Sequence, residues 1–89
     1  MRKENLKDHK KSNCYVVFYD NGRIEFWSYS TMVIAIENGN IQCTGTYSPT
    51  TRKQIGWFLK QYMPDLSYYN MKAIAGMDPV SIDDARVAA

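Results

Sequence analysis

Histidine occurs once, cysteine twice and proline three times in 89 residues, and each scarcity excludes something. His9 lies in a charged N-terminal stretch, so a Ser-His-Asp or Cys-His constellation would require that stretch to fold back onto a nucleophile, and no enzymatic activity is expected. Cys14 and Cys43 are too few for a disulfide framework. With His9 they offer fewer ligands than the usual four of a structural zinc site, so no metal or other cofactor is expected. They read as small buried hydrophobes in a reducing compartment. The longest apolar run, "MVIAI" at 32–36, is too short to span a membrane, and the N-terminus carries no apolar signal-type segment, which together predict a cytoplasmic protein. No glycine-rich loop leads from a strand into a helix in the manner of a phosphate site.

Net charge is also small once it is located. The net charge is +2, but residues 1–12 carry Arg2, Lys3, Lys7, Lys10 and Lys11 against Glu4 and Asp8, a balance of +3, which leaves −1 for everything after them. A near-neutral body is unlike a basic nucleic-acid-binding domain. The expected organisation is a mobile basic tail at 1–12, a single domain at 13–76 and a flexible C-terminal tail at 77–89.

What is present is patterning. "VVFYDNGRIEF" and "VIAIENGNIQC" each place Asn-Gly between alternating apolar runs, the signature of a two-residue hairpin turn with two positive φ angles. Asn21-Gly22 then pairs Tyr19 with Ile24, Phe18 with Glu25 and Val17 with Phe26. Asn38-Gly39 pairs Glu37 with Asn40, Ile36 with Ile41 and Ile34 with Cys43. In this register Met32, Ile34, Ile36, Ile41 and Cys43 share one face. The first hairpin is apolar on both faces, with Tyr15, Val17, Tyr19, Ile24 and Phe26 on one and Cys14, Val16, Phe18, Glu25 and Trp27 on the other. "SYST" at 28–31 joins the hairpins into a four-stranded antiparallel meander. Its outer strands would lie ~14 Å apart, too far for a Cys14–Cys43 disulfide. Ser48 as N-cap, Pro49 in the first turn and Pro64 beyond the end delimit one main helix over 49–63. Gly56 within it suggests close approach of the sheet. A short C-terminal helix at 66–75, or a strand, is expected to cover the second face of the first hairpin. The fold class is therefore α+β.

"SYSTMVIAI" followed by "YSPTTRKQIGWFLKQY" resembles a family of short, uncharacterised proteins from phages and mobile elements of gut bacteria. The matching residues are Ser28, Tyr29, Thr31, Val33 and Ala35, then Tyr47, Ser48, Thr50, Thr51, Phe58 and Leu59. The resemblance implies no chemistry. It implies a setting in which small neutral proteins act by stoichiometric binding of a host protein, including inhibitors of host defence such as anti-CRISPR proteins.

Trp57 is the residue that folding does not explain. Ile55, Phe58, Leu59 and Tyr62 form the apolar stripe of the main helix, whereas Trp57 lies about 200° round from Ile55 among Lys53, Lys60 and Gln61. Tryptophan anchors protein interfaces, and seven tyrosines exceed what one small core hides. The expected function is non-enzymatic binding of a host protein through Trp57, Lys53, Lys60, Gln61, Tyr68 and Tyr69. Homodimerisation through the first hairpin is a further expectation. The alternative is a nucleic-acid or nucleotide binder, with the basic tail supplying attraction and Trp57 a stacking surface. Ser48, Thr50 and Thr51 at the helix N-terminus are the alternative anion-binding group, with simple capping as the plainer account.

Overall fold

A computed structural model describes residues 1–45 and 48–88. Among the described residues, six antiparallel strands form one meander in chain order: β1 (Arg2–Glu4), β2 (Cys14–Phe18), β3 (Ile24–Ser28), β4 (Thr31–Glu37), β5 (Asn40–Cys43) and β6 (Val80–Ser81). Three helices accompany them: α1 (Pro49–Tyr62), α2 (Tyr68–Ile74) and α3 (Ile82–Val87). The α+β class is as expected, but the sheet has two strands more than the expected four. Both come from segments read as tails.

The two Asn-Gly turns differ. Asn38 and Gly39 have φ of 52° and 77°, and β4 and β5 pair Glu37 with Asn40, Ile36 with Ile41 and Ile34 with Cys43, the register expected of a two-residue turn. At the first turn only Gly22 has positive φ, 90°. There the Tyr19 amide donates to the Arg23 carbonyl at 2.9 Å and the Gly22 amide donates to the Tyr19 carbonyl at 3.0 Å. This is a three-residue loop closed by a left-handed glycine. It corrects the expected pairing by one position: Phe18 faces Ile24, Val17 faces Glu25 and Val16 faces Phe26. A one-residue slip reverses every side chain. The two-residue register would have set Glu25 beside Cys14 and Val16; the observed one puts Ile24 and Phe26 there and sends Glu25 to the other side. A register shift between Phe26 and Trp27 sets Met32 opposite Trp27. Val33 and Ile34 are both fully buried, and Met32 is half-exposed.

The core lies between the sheet and the helices. Cys14, Val16, Phe26, Ile34, Ile41 and Cys43 pack with Ile55, Phe58 and Leu59 of α1, Met71 and Ile74 of α2 and Ala85 of α3. The Phe26 and Phe58 rings stack at 4.9 Å between centroids. Burial pushes both thiols, Cys14 and Cys43, up from their ordinary pKa, and both are free. α1 begins as expected, with Ser48 Oγ accepting from the Thr51 amide at 3.3 Å and Pro49 in the first turn. Gly56 corrects an expectation: it is exposed, and a Cβ there would meet nothing within 4 Å, so no close sheet approach requires it.

The N-terminal segment is no free tail. β1 pairs along β2, and Leu6 is 1% exposed within the core. Burial of Leu6, about 1.5–3 kcal/mol for a fully buried side chain, adds to the β1–β2 pairing in holding an otherwise charged segment in place. The C-terminus is likewise tied down. The Ile82 amide donates to the Gly39 carbonyl at 2.9 Å, Ala85 is fully buried, and the Asn70 Nδ2 amide of α2 donates to the Ala88 carbonyl at 2.6 Å. α2 thus joins α1 on the core side of the sheet, the side of Cys14, Val16, Ile24 and Phe26, and not on the opposite side, where Val17 and Glu25 lie. Among the described residues, no helix is long and apolar enough to cross a membrane.

Candidate interaction surfaces

The returning N-terminal segment, residues 5–13, straps across one flank of α1. Two tight turns shape it, with amides of His9 and Ser12 donating to the carbonyls of Leu6 and His9 at 3.1 Å and Asp8 at φ 63°. The Lys7 amide donates to Gln61 Oε1 at 2.9 Å. The His9 imidazole stacks on the Trp57 indole at 3.6 Å between centroids, 10° from parallel. Trp57 is therefore half-buried, and its cover is the N-terminal strap, not the C-terminal segment. Lys7, Asp8, His9, Trp57, Lys60 and Gln61 line a cleft of about 500 Å³.

Of the residues expected to bind a partner together, this cleft unites Trp57, Lys60 and Gln61, with Lys53 one turn before Trp57 on α1. Tyr68 belongs elsewhere: its ring lies beneath the Arg52 guanidinium at 5.9 Å, and Arg52 sits about 140° round α1 from Trp57. Tyr69, 70% exposed, contacts Tyr68 edge-on. Lys7 and His9 were missed because the strap has no periodicity. The one signal was Leu6, a lone apolar residue among charges.

The alternative anion group is divided by the fold. Ser48 caps α1, Thr50 is exposed, and Thr51 is buried. Thr51 Oγ1 lies 3.3 Å from Ser28 Oγ, and Ser28 Oγ donates to Gln54 Oε1 at 2.5 Å. The two segments that carry the family resemblance meet in this buried network, which fastens the start of α1 to the end of β3. Beside it Tyr29, in the β3–β4 turn, holds φ 54° and is 58% exposed, a left-handed conformation uncommon for a bulky residue. Tyr47 and Thr46 lie outside the described residues.

On the sheet face away from the helices, Val17, Ala35 and Glu25 are buried yet stand outside the core cluster. Tyr15, Tyr19 and Trp27 rise around them, half-buried. Tyr15 and Trp27 lie 5° from parallel, 6.1 Å between centroids, and Lys3 Nζ lies 4.0 Å above Tyr15. Glu25 organises the centre. Its Oε1 accepts from Tyr19 Oη at 2.8 Å and from Trp27 Nε1 at 3.0 Å, and its Oε2 accepts from Arg23 Nε at 2.7 Å. Arg23 also reaches Glu37 at 2.9 Å. Burial pushes the Glu25 carboxyl up, but the hydrogen bonds from Arg23, Trp27 and Tyr19 outweigh it and hold the group below the ordinary carboxylate value. The hydrogen bond to Glu25 raises the Tyr19 phenol. Among the described residues, the partners named in this layer come from the sheet or its turns. Among the described residues no group of three or more His, Cys, Asp or Glu is placed to hold a metal ion.

These features define a small α+β domain with helices on one side of an antiparallel meander and an aromatic layer on the other. The chain belongs to a family of unknown function, DUF8033, whose model matches residues 1–74. No curated protein and no solved structure matches it.

Proposed function

We propose that the chain is a small, non-enzymatic protein-binding module that acts by stoichiometric binding of a host protein, in the manner of a phage- or mobile-element-encoded inhibitor of host defence. The observation that supports this most is the sheet face built on Val17, Ala35 and Glu25. It presents tyrosine, tryptophan and arginine, the residue types that concentrate binding energy at protein interfaces. The charged side chains seen to contact this layer are Lys3 and Arg23 against Glu25 and Glu37, two of each sign. Arg23 is already paired with both carboxylates. A layer with no net charge offers little to a polyanion and suits a folded protein surface. A second copy of the chain is the competing occupant.

The test compares wild type, Tyr15→Ala and Trp57→Ala, all checked for unchanged melting, in capture from nuclease-treated host lysate, followed by light scattering of the purified complex. The expected result is a one-to-one complex with one host protein, lost with Tyr15→Ala and kept with Trp57→Ala. Retention by Tyr15→Ala, or a stable homodimer with no captured partner, would overturn the reading.

A further inference from the structure

We infer that the flank formed by the strap and α1 binds single-stranded nucleic acid, with Lys7, Lys53 and Lys60 meeting phosphates and the His9–Trp57 pair receiving a base. The linear charge count conceals this surface. The strap holds Lys7, Lys10 and Lys11 against Asp8, and α1 holds Arg52, Lys53 and Lys60 with no acidic residue. With histidine neutral these segments sum to +5 in a chain of net +2, so the rest of the molecule is at −3. Of these cations, folding brings Lys7 and Lys60 to the cleft, where Asp8 is the acid that accompanies them, with Lys53 one turn before Trp57 on α1, while Arg52 turns away toward Tyr68. Glu25 and Glu37 pair with Arg23 on the aromatic sheet face, and Asp65 and Asp83 pair with Arg86 near α3.

The shape of the flank selects among anions. Lys53, Trp57 and Lys60 fall at i, i+4 and i+7 on α1, a stripe about 10 Å long at 1.5 Å per residue, and the strap places Lys7 and His9 alongside it. The cleft of about 500 Å³ lies within the range of about 300–1,000 Å³ typical of small-ligand sites. Trp57 is its one strongly apolar lining residue. A protein hot spot would be expected to have a wider apolar centre. His9 and Trp57 are already in van der Waals contact, so a base would extend the stack on its outer, His9 side, with Lys7 and Lys60 in the same cleft placed for its flanking phosphates, because stacking tolerates any base and lysines supply the electrostatic attraction.

The test is fluorescence anisotropy of a labelled oligo-dT of about 20 nucleotides with the full chain, Lys7→Glu/Lys60→Glu, Trp57→Leu and His9→Ala. Both lysines are exposed, so the charge reversals leave the fold intact. The double reversal should weaken binding at least tenfold and flatten the log K against log salt slope by about 1.4, two contacts at about 0.7 each. Trp57→Leu should weaken binding about tenfold on oligo-dT yet leave an abasic oligomer of equal length unaffected. His9→Ala, which spares the helix, supplies the same contrast should Trp57→Leu fail to fold. No binding by wild type at about 50 mM salt would overturn the inference. So would equal affinity for the abasic strand, or displacement of the oligonucleotide by polyglutamate at equal charge, which would assign the flank to an acidic protein instead.

Discussion

Glu25 shows how one charged residue organises a surface. A carboxylate 8% exposed would be costly without partners, and here three side chains donate to it. Its pKa is depressed in the fold. The stability it contributes is therefore present above the unfolded value, about 4.3, and is lost as pH falls through the folded value. Glu25→Gln should lower the unfolding free energy at pH 7 by about 1.5–3 kcal/mol, the scale of hydrogen bonds to a charged group. Denaturant titrations should show wild type and variant converging below about pH 4. A pH-independent gap would mean that the carboxylate charge contributes nothing. The same residue was the readable signal for the first hairpin's register, because a glutamate opposite Val17 avoids the helical core. The Asn-Gly dipeptide was the louder signal and pointed to the other turn.

At the scale of elements, α1 was legible almost to the residue. Ser48, Pro49 and Pro64 are local boundary signals, and local signals need no tertiary context. Gly56 is the exception, since a helical glycine suggests a close neighbour that is absent. Gly56→Ala should raise stability by about 1 kcal/mol through helix propensity alone, measured as a higher denaturation midpoint at unchanged slope. A loss of stability would indicate packing against that face. β1 and β6 could not be read in this way. Three residues, Arg2–Glu4, and two, Val80–Ser81, are too short for a period. Shortness and charge are also what protect a sheet edge from pairing with another chain.

For the whole molecule, the N-terminal segment matters most. β1, Leu6 and the His9–Trp57 stack make residues 1–12 part of the folded unit, and Leu6 is among the largest fully buried side chains. Leu6→Ala should cost about 2–5 kcal/mol in global stability, and removal of residues 1–12 should cost at least as much. Chemical denaturation checks both, and a truncated chain as stable as the full one would restore the picture of a free tail. For the same reason a truncation cannot by itself test nucleic-acid binding, because it removes stability and charge together. Reversing the exposed Lys7 and Lys60 separates the two effects.

The α+β class, the second hairpin with its register, the limits of α1 and the unpaired cysteines follow from the chain itself. Each rests on contacts between residues near in sequence, where turn chemistry and periodicity act directly. The first hairpin's register, the strap over Trp57, the return of β6 and the meeting of Lys7 with Lys60 in one cleft depend on contacts between residues distant in the chain. Leu6 is drawn in because a core exists to receive it, and Lys7 and His9 reach α1 only because Leu6 is held there. Local pattern carries no record of such placements, since they are set by which distant apolar surfaces are buried together.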